Sequence, residues 1–230
     1  MPGFKIHITA STILGVGYGV GGALFYDVPL PTAALATTLC SVSGMLPDLD
    51  SGPGRPMHES ICFAAAAVPM AMADRFRHMG WTHETIILLG AATYLFIRFV
   101  LYNMLKHMTV HRGIFHSFPV MFIFAQLAFL ICSTGDLTMR YYKAGAIVVG
   151  FFSHLLLDEI WSIDFRHFRL KSSFGTAIKF WADSRWATCV AYLILAVTTL
   201  ATLYDPIWAT AGSEEQELHN VASRLIDSWR

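Results

Sequence analysis

Seven runs of apolar residues dominate this chain, at roughly 8–26, 30–46, 60–73, 84–105, 117–133, 141–160 and 187–204. Most approach the ~20 residues that a helix needs to cross a bilayer. Within lipid the backbone of a continuous apolar run must pair its N–H and C=O groups internally, and the helix does this. The expected fold is therefore all-α, a polytopic transmembrane helical bundle of about seven spans. Composition agrees: 55% of residues are hydrophobic and 14% charged, where a soluble domain carries about a quarter charged. The third run, Ile61 to Ala73, is short and interrupted by Pro69, and is the weakest candidate for a full crossing. Formal net charge is zero, so the basic footprint of a nucleic-acid binder is missing and the lipid bilayer is the implied partner.

Residues 1–204 read as one membrane domain and 205–230 as a polar C-terminal tail. In that tail Ser213, followed by Glu214, Glu215 and Glu217, has the signature of a capped surface helix. The first run lacks a small-residue cleavage site at its end and reads as a retained span. Cys40, Cys62, Cys132 and Cys189 fall in apolar runs without a CxxC pair, and read as packing residues. In the glycine-rich stretch, Gly15/Gly19 and Gly17/Gly21 are four apart. That spacing suits close helix packing, and no strand precedes it to support a nucleotide loop.

Four polar clusters interrupt the apolar background: His7; Asp48 with Asp50; His111 with His116; and His154 with Asp158. All seven side chains are metal-ligand types, and charged or imidazole groups near a membrane are costly without a partner. His154 and Asp158 lie four residues apart, so on a helix both face one ion. A simple hydrogen-bonded pair would look the same. His111-Arg112-Gly113-Ile114-Phe115-His116-Ser117 suits a loop entering a helix, and Arg112 offers a fork of donors for an oxyanion. Interfacial histidines beside a snorkelling arginine are the plainer reading. Leu46-Pro47-Asp48-Leu49-Asp50 closes the second run; its aspartates suit hard cations, although Pro-Asp is also an ordinary loop signal.

Topology ties these clusters together. With the N-terminus in the cytoplasm, Lys5, Arg55, Lys106, Arg112, Arg166, Arg169, Lys171, Lys179 and Arg185 lie inside. Arg75, Arg77, Arg140 and Lys143, in loops, lie outside with Arg224 and Arg230 of the tail. This bias favours a cytoplasmic N-terminus. If runs three and four cross as a pair, all four clusters meet at the cytoplasmic face. Three carboxylates there need compensating positive charge. Two divalent ions would supply it, with the four histidines filling the remaining positions of a two-metal hydrolytic site. Nitrogen and oxygen donors without thiolate suit zinc foremost, or manganese or iron.

In this order, His7, Leu46-Pro47-Asp48-Leu49-Asp50, His111-Arg112-Gly113-Ile114-Phe115-His116-Ser117 and Ser153-His154-Leu155-Leu156-Leu157-Asp158 resemble the YdjM-like family of inner-membrane, metal-dependent hydrolases. The resemblance spans residues 7 to about 160. It implies a metal-dependent hydrolase of the bacterial inner membrane with these histidines and aspartates as ligands, but supplies no substrate. The chain departs from the family pattern at Ser51, where relatives often carry histidine, at Phe115, where many carry threonine, and at Trp161-Ser162-Ile163-Asp164. His58 is a loop histidine that would be available to replace the missing one.

Other polar positions have simpler readings. Arg98, near the end of run four, snorkels. Glu159, rotated about 100° from Asp158, is a candidate catalytic acid or proton shuttle, although a solvated helix end explains it too. Residues 161–186 combine Trp161, Trp181 and Trp186 with basic residues, a composition for the lipid interface. The expected function is hydrolysis of an amphiphilic ester or phosphoester, such as a lipid-linked phosphate, with Arg112 binding the developing anion. The alternative is a membrane metal transporter or sensor, which needs polar residues continuing across the bilayer. A metalloprotease would be expected to show HExxH, and none occurs.

Overall fold

The computed structural model describes residues 3–50, 54–108, 114–132, 136–164, 169–170, 179–181 and 184–205. His111 and Arg112, and the tail from residue 206 onward, lie outside them. Within the described residues the chain is helical apart from a two-residue antiparallel pair, Ile163–Asp164 with Arg169–Leu170.

Each apolar run forms a helical rod. In order these are α1 (Phe4–Phe25), α2 (Leu30–Ser43), a 3-10 turn (Leu46–Asp50), α3 (Arg55–His78) and α4 (His83–Leu95). α4 passes through a π-helical segment (Phe96–Leu101) into α5 (Tyr102–Met108), making one rod, and α6 (Phe118–Ile131), α7 (Leu137–Trp161) and α8 (Arg185–Leu203) follow. Four of the seven rods are long and apolar enough to cross a membrane: Phe4–Phe25, His83–Lys106, Leu137–Trp161 and Arg185–Leu203. α2 and α6 are shorter, each with 14 residues, or about 21 Å of helix.

Pro69 does not break the third run, as its sequence context suggested; α3 continues through it for 24 residues. Proline removes one helical hydrogen bond, and here it faces Gly90 of α4. His58 is corrected from loop to helix: it lies in the first turns of α3 and is exposed. Arg140 and Lys143 are also relocated. Asp136 caps α7 by accepting hydrogen bonds from the Thr138 and Met139 amides, so both basic residues belong to the helix and are buried.

The centre of the bundle is α7, packed against α1, α2 and α6, with α1 also on α2 and α8 on α6. Lipid-like surroundings supply little hydrophobic drive between helices, so small residues and hydroxyls hold them together. Gly15 and Gly19 meet α2 at backbone distance, where a methyl on Gly15 would lie 2.7 Å from the Thr37 carbonyl oxygen. Gly17 and Gly21, expected to pack in the same way, face open space. Thr37 donates to the Gly15 carbonyl (3.0 Å) and Ser11 to that of Ser41 (2.8 Å). Tyr18 and Tyr142 each donate to the other's backbone carbonyl at 2.8 Å, tying α1 to α7.

Between α6 and α8, Gln126 accepts from the Thr198 hydroxyl (2.5 Å) and donates to Thr199 (2.8 Å). Gln126→Leu is expected to lower stability by roughly 1 kcal/mol, measured as unfolding in detergent. An unchanged unfolding curve would show that this pair does not hold α8.

At the end of α7 remote from Asp158, Asp205 receives both terminal nitrogens of Arg140 at 2.9 and 3.2 Å and also pairs with Arg75 of α3. Arg140 further donates Nε–H to the Phe129 carbonyl (3.0 Å) and lies over the Phe129 ring. Asp205, the first residue of the segment read as tail, is thus packed into the bundle.

Candidate metal centre

Five of the seven ligand-type side chains singled out in the sequence come together at one end of α7. His7 stands in the second turn of α1 and Asp48 in the 3-10 turn that follows α2; His116 immediately precedes the α6 cap, Ser117. His154 and Asp158 occupy successive turns near the end of α7, on its buried face. The side chain of Asp50 and all of His111 lie outside what the structure describes. His7, His116, His154 and Asp158 are each less than 5% exposed, while the Asp48 side chain is 24% exposed and forms the rim.

Asp158 presents its two oxygens to different histidines. Oδ1 is 3.3 Å from His7 Nε2, and Oδ2 is 3.6 Å from both His116 Nε2 and His154 Nε2. Asp48 Oδ1 completes a ring of donors, 3.8 Å from His116 Nε2 and 3.7 Å from His154 Nε2. The His7 and His154 rings stack with centroids 3.7 Å apart. Such close stacking suits two neutral imidazoles, the form that binds metal.

The hydrogen-bond inventory of His154 tests whether a cation fits. Its Nδ1 lies 2.7 Å from the Gly44 carbonyl oxygen. A carbonyl only accepts, so Nδ1 carries a proton, and in the neutral ring Nε2 holds the lone pair. That lone pair faces two carboxylate oxygens, and Nε2 is buried without a hydrogen-bond partner among the described residues. Two carboxylates converging on one buried nitrogen favour a positive charge between them. A tetrahedral ion with bonds of about 2.0–2.1 Å separates its ligand atoms by about 3.3–3.4 Å. The observed separations of 3.6–3.8 Å are only a few tenths of an ångström wider. Two groups have the composition and spacing to hold an ion, His7/His154/Asp158 and Asp48/His116/His154. Their imidazole and carboxylate donors lack thiolate, a set that zinc, manganese and iron all accept.

The remaining sequence candidates lie apart from these donors. Glu159 follows Asp158 and is half-buried, with Oε2 shielded from solvent. His58 lies beside Cys62, Glu59 and Arg98 on the α3–α4 hairpin. Arg98, in the π-helical segment, turns one nitrogen to within 3.5 Å of His58 Nε2. Sequence reasoning missed Gly44, whose carbonyl orients His154. A glycine closing a helix three residues before Pro47 was the available signal.

Comparison with curated proteins and with solved structures yields no match. A family model described as YdjM inner membrane protein covers residues 8–218, including four of the five assembled donors and the described helices from α2 to α8. The chain belongs to the YdjM inner membrane protein family.

Proposed function

We propose that this protein is a membrane-bound, metal-dependent hydrolase that acts on an amphiphilic ester or phosphoester at the cytoplasmic interface. The observation that carries the reading is the buried convergence of His154 Nε2 with the carboxylates of Asp48 and Asp158. His7, Asp48, His116, His154 and Asp158 would hold the ion, with Asp50 and His111 added by the sequence motifs. Asp158, whose two oxygens address different histidines, would hold metal together with them. A divalent metal held there would lower the pKa of water and polarise the scissile bond.

The chain's own groups account for the rest of the chemistry. Asp48 forms the exposed rim, so substrate approaches from its side. Glu159 Oε2 would take up or return a proton, and the Arg112 guanidinium would bind the developing oxyanion. Exposed Trp161, Trp181 and Trp186 mark the level of the lipid headgroups. Trp161 lies one helical turn beyond Asp158, which supports a substrate whose reactive group sits at that level. The same reading has about seven crossings, a cytoplasmic N-terminus and a polar tail outside the membrane domain. A transporter would need a polar route onward from the donors. Ser11, Thr37 and Tyr18 do continue inward, but each hydroxyl is engaged by a backbone carbonyl.

Metal analysis of detergent-purified protein, followed by a screen of phosphoester and carboxylester lipids under the metal found, tests the proposal. Up to two ions per chain and turnover of one lipid class are expected. No metal after gentle purification and repletion would overturn it.

A further inference from the structure

We infer that the backbone carbonyl of Gly44 is a positioning group: it locks His154 in the Nδ1–H tautomer and commits Nε2 to the ion. This role rests on the metal-centre reading above. The last carbonyls of a helix lack intrahelical partners, and at the end of α2 they are distributed among specific donors. Ser43 Oγ and the Gly44 amide donate to Cys40, Ser11 Oγ to Ser41 and the Met45 amide to Val42. The Gly44 carbonyl takes the His154 Nδ1–H at 2.7 Å. It reaches α7 because glycines let three helices approach closely here. A methyl on Gly44 would overlap Ser11 of α1, and one on Gly150 of α7 would overlap the Cys40 carbonyl and Ser43. Gly44 has φ −65°, which any residue adopts, so space rather than conformation demands glycine.

The chemistry follows from this contact. In water a neutral histidine has two tautomers; here one is selected before any ion arrives. The acceptor sits at a helix C-terminus, where the partial negative charge makes the imidazole a better donor to a cation. The bond also fixes the ring plane, which keeps the stack on His7 and the aim of Nε2 at Asp48 and Asp158. With Nδ1 engaged, His154 offers one lone pair and can serve only one of the two candidate donor groups at a time.

The test uses the full chain in detergent, with Co²⁺ as the probe. Gly44→Ala is expected to weaken Co²⁺ affinity 10- to 100-fold in chelator competition, the usual effect of losing an outer partner of a ligating histidine, and to alter the Co²⁺ absorption spectrum. Gly44→Ala combined with Ser11→Gly, which removes the overlapping atoms, should recover most of the affinity. Imidazole ¹⁵N spectra of the metal-free protein at pH 8, assigned with His154→Gln, should show His154 as Nδ1–H in wild type. If Gly44→Ala fails to fold, Nδ1-methylhistidine at position 154 removes the donor directly and should weaken Co²⁺ binding as strongly. Wild-type Co²⁺ binding with unchanged affinity in these variants, or an Nε2–H tautomer for His154, overturns the positioning role alone. A wild type that takes up no Co²⁺ overturns the metal centre and this role together.

Discussion

Asp158→Asn is expected to empty the centre of metal while leaving the metal-free protein at least as stable as wild type. The carboxylate lies within 3.6 Å of three histidine nitrogens and is 3% exposed, so it stands at the middle of the described donors. Asparagine keeps the shape but offers one acceptor oxygen and an NH₂ that cannot face a cation. Without an ion, the native carboxylate is a buried charge beside the acceptor Nε2 of His154, and its neutral isostere removes that cost. Metal and stability should therefore separate. Chelator should lower the melting temperature of wild type and have no effect on Asp158→Asn. Glu159→Gln is the companion control, expected to keep its metal and lose turnover, because its side chain is rotated about 100° from Asp158 around α7. Wild-type metal content in Asp158→Asn would remove the basis for a shared centre.

Asp205→Ala is expected to be the most destabilising single change, at about 3–5 kcal/mol, the usual cost of leaving a buried charge without its partner. The Arg140 side chain is 2% exposed and has no route to water, whereas Arg75 at 29% can extend toward the surface. Most of the penalty therefore falls on Arg140. Arg140→Met with Asp205→Leu removes both charges and should be closer to wild type than Asp205→Ala. Thermal unfolding in detergent, with proteolysis at the end of α8, measures both. Equal losses in the single and double variants would show that packing of the last turn, not charge, holds α8 in place.

These two sites were unequally visible in the sequence. Apolar runs announced every rod, because a chain segment that oily has few alternatives to a helix in lipid. His154 and Asp158 announced a shared face because helical spacing is local information. His7 looked weak, being a lone histidine at the start of a run, yet it stacks on His154 from 147 positions away. Nothing local encodes such a meeting; it follows from α1 and α2 closing on each other through Gly15 and Gly19. Arg140 and Lys143 were read as loop charges for a related reason. The counter-charge that makes burial of Arg140 tolerable is Asp205, 65 residues onward. The end of α2 was misjudged because run 30–46 stays apolar past Ser43, while the chain itself stops the helix at Gly44 and tightens into the 3-10 turn carrying Asp48.

The π-helical segment at Phe96–Leu101 divides its rod into two territories. A π-turn amounts to one surplus residue, so the helical phase before and after it differs by about a residue's rotation. α4 upstream has no buried residue, whereas Ile97 is buried and Leu101, Tyr102 and Leu105 pack with it against Met57 and Ile61 of α3. α4 thus meets α3 only through half-buried positions such as Gly90, whereas from Ile97 onward the rod also contributes buried core. Deleting one residue inside the segment would realign the two halves into a single continuous stripe. The face now docked on α3 would swing outward, carrying Arg98 away from His58.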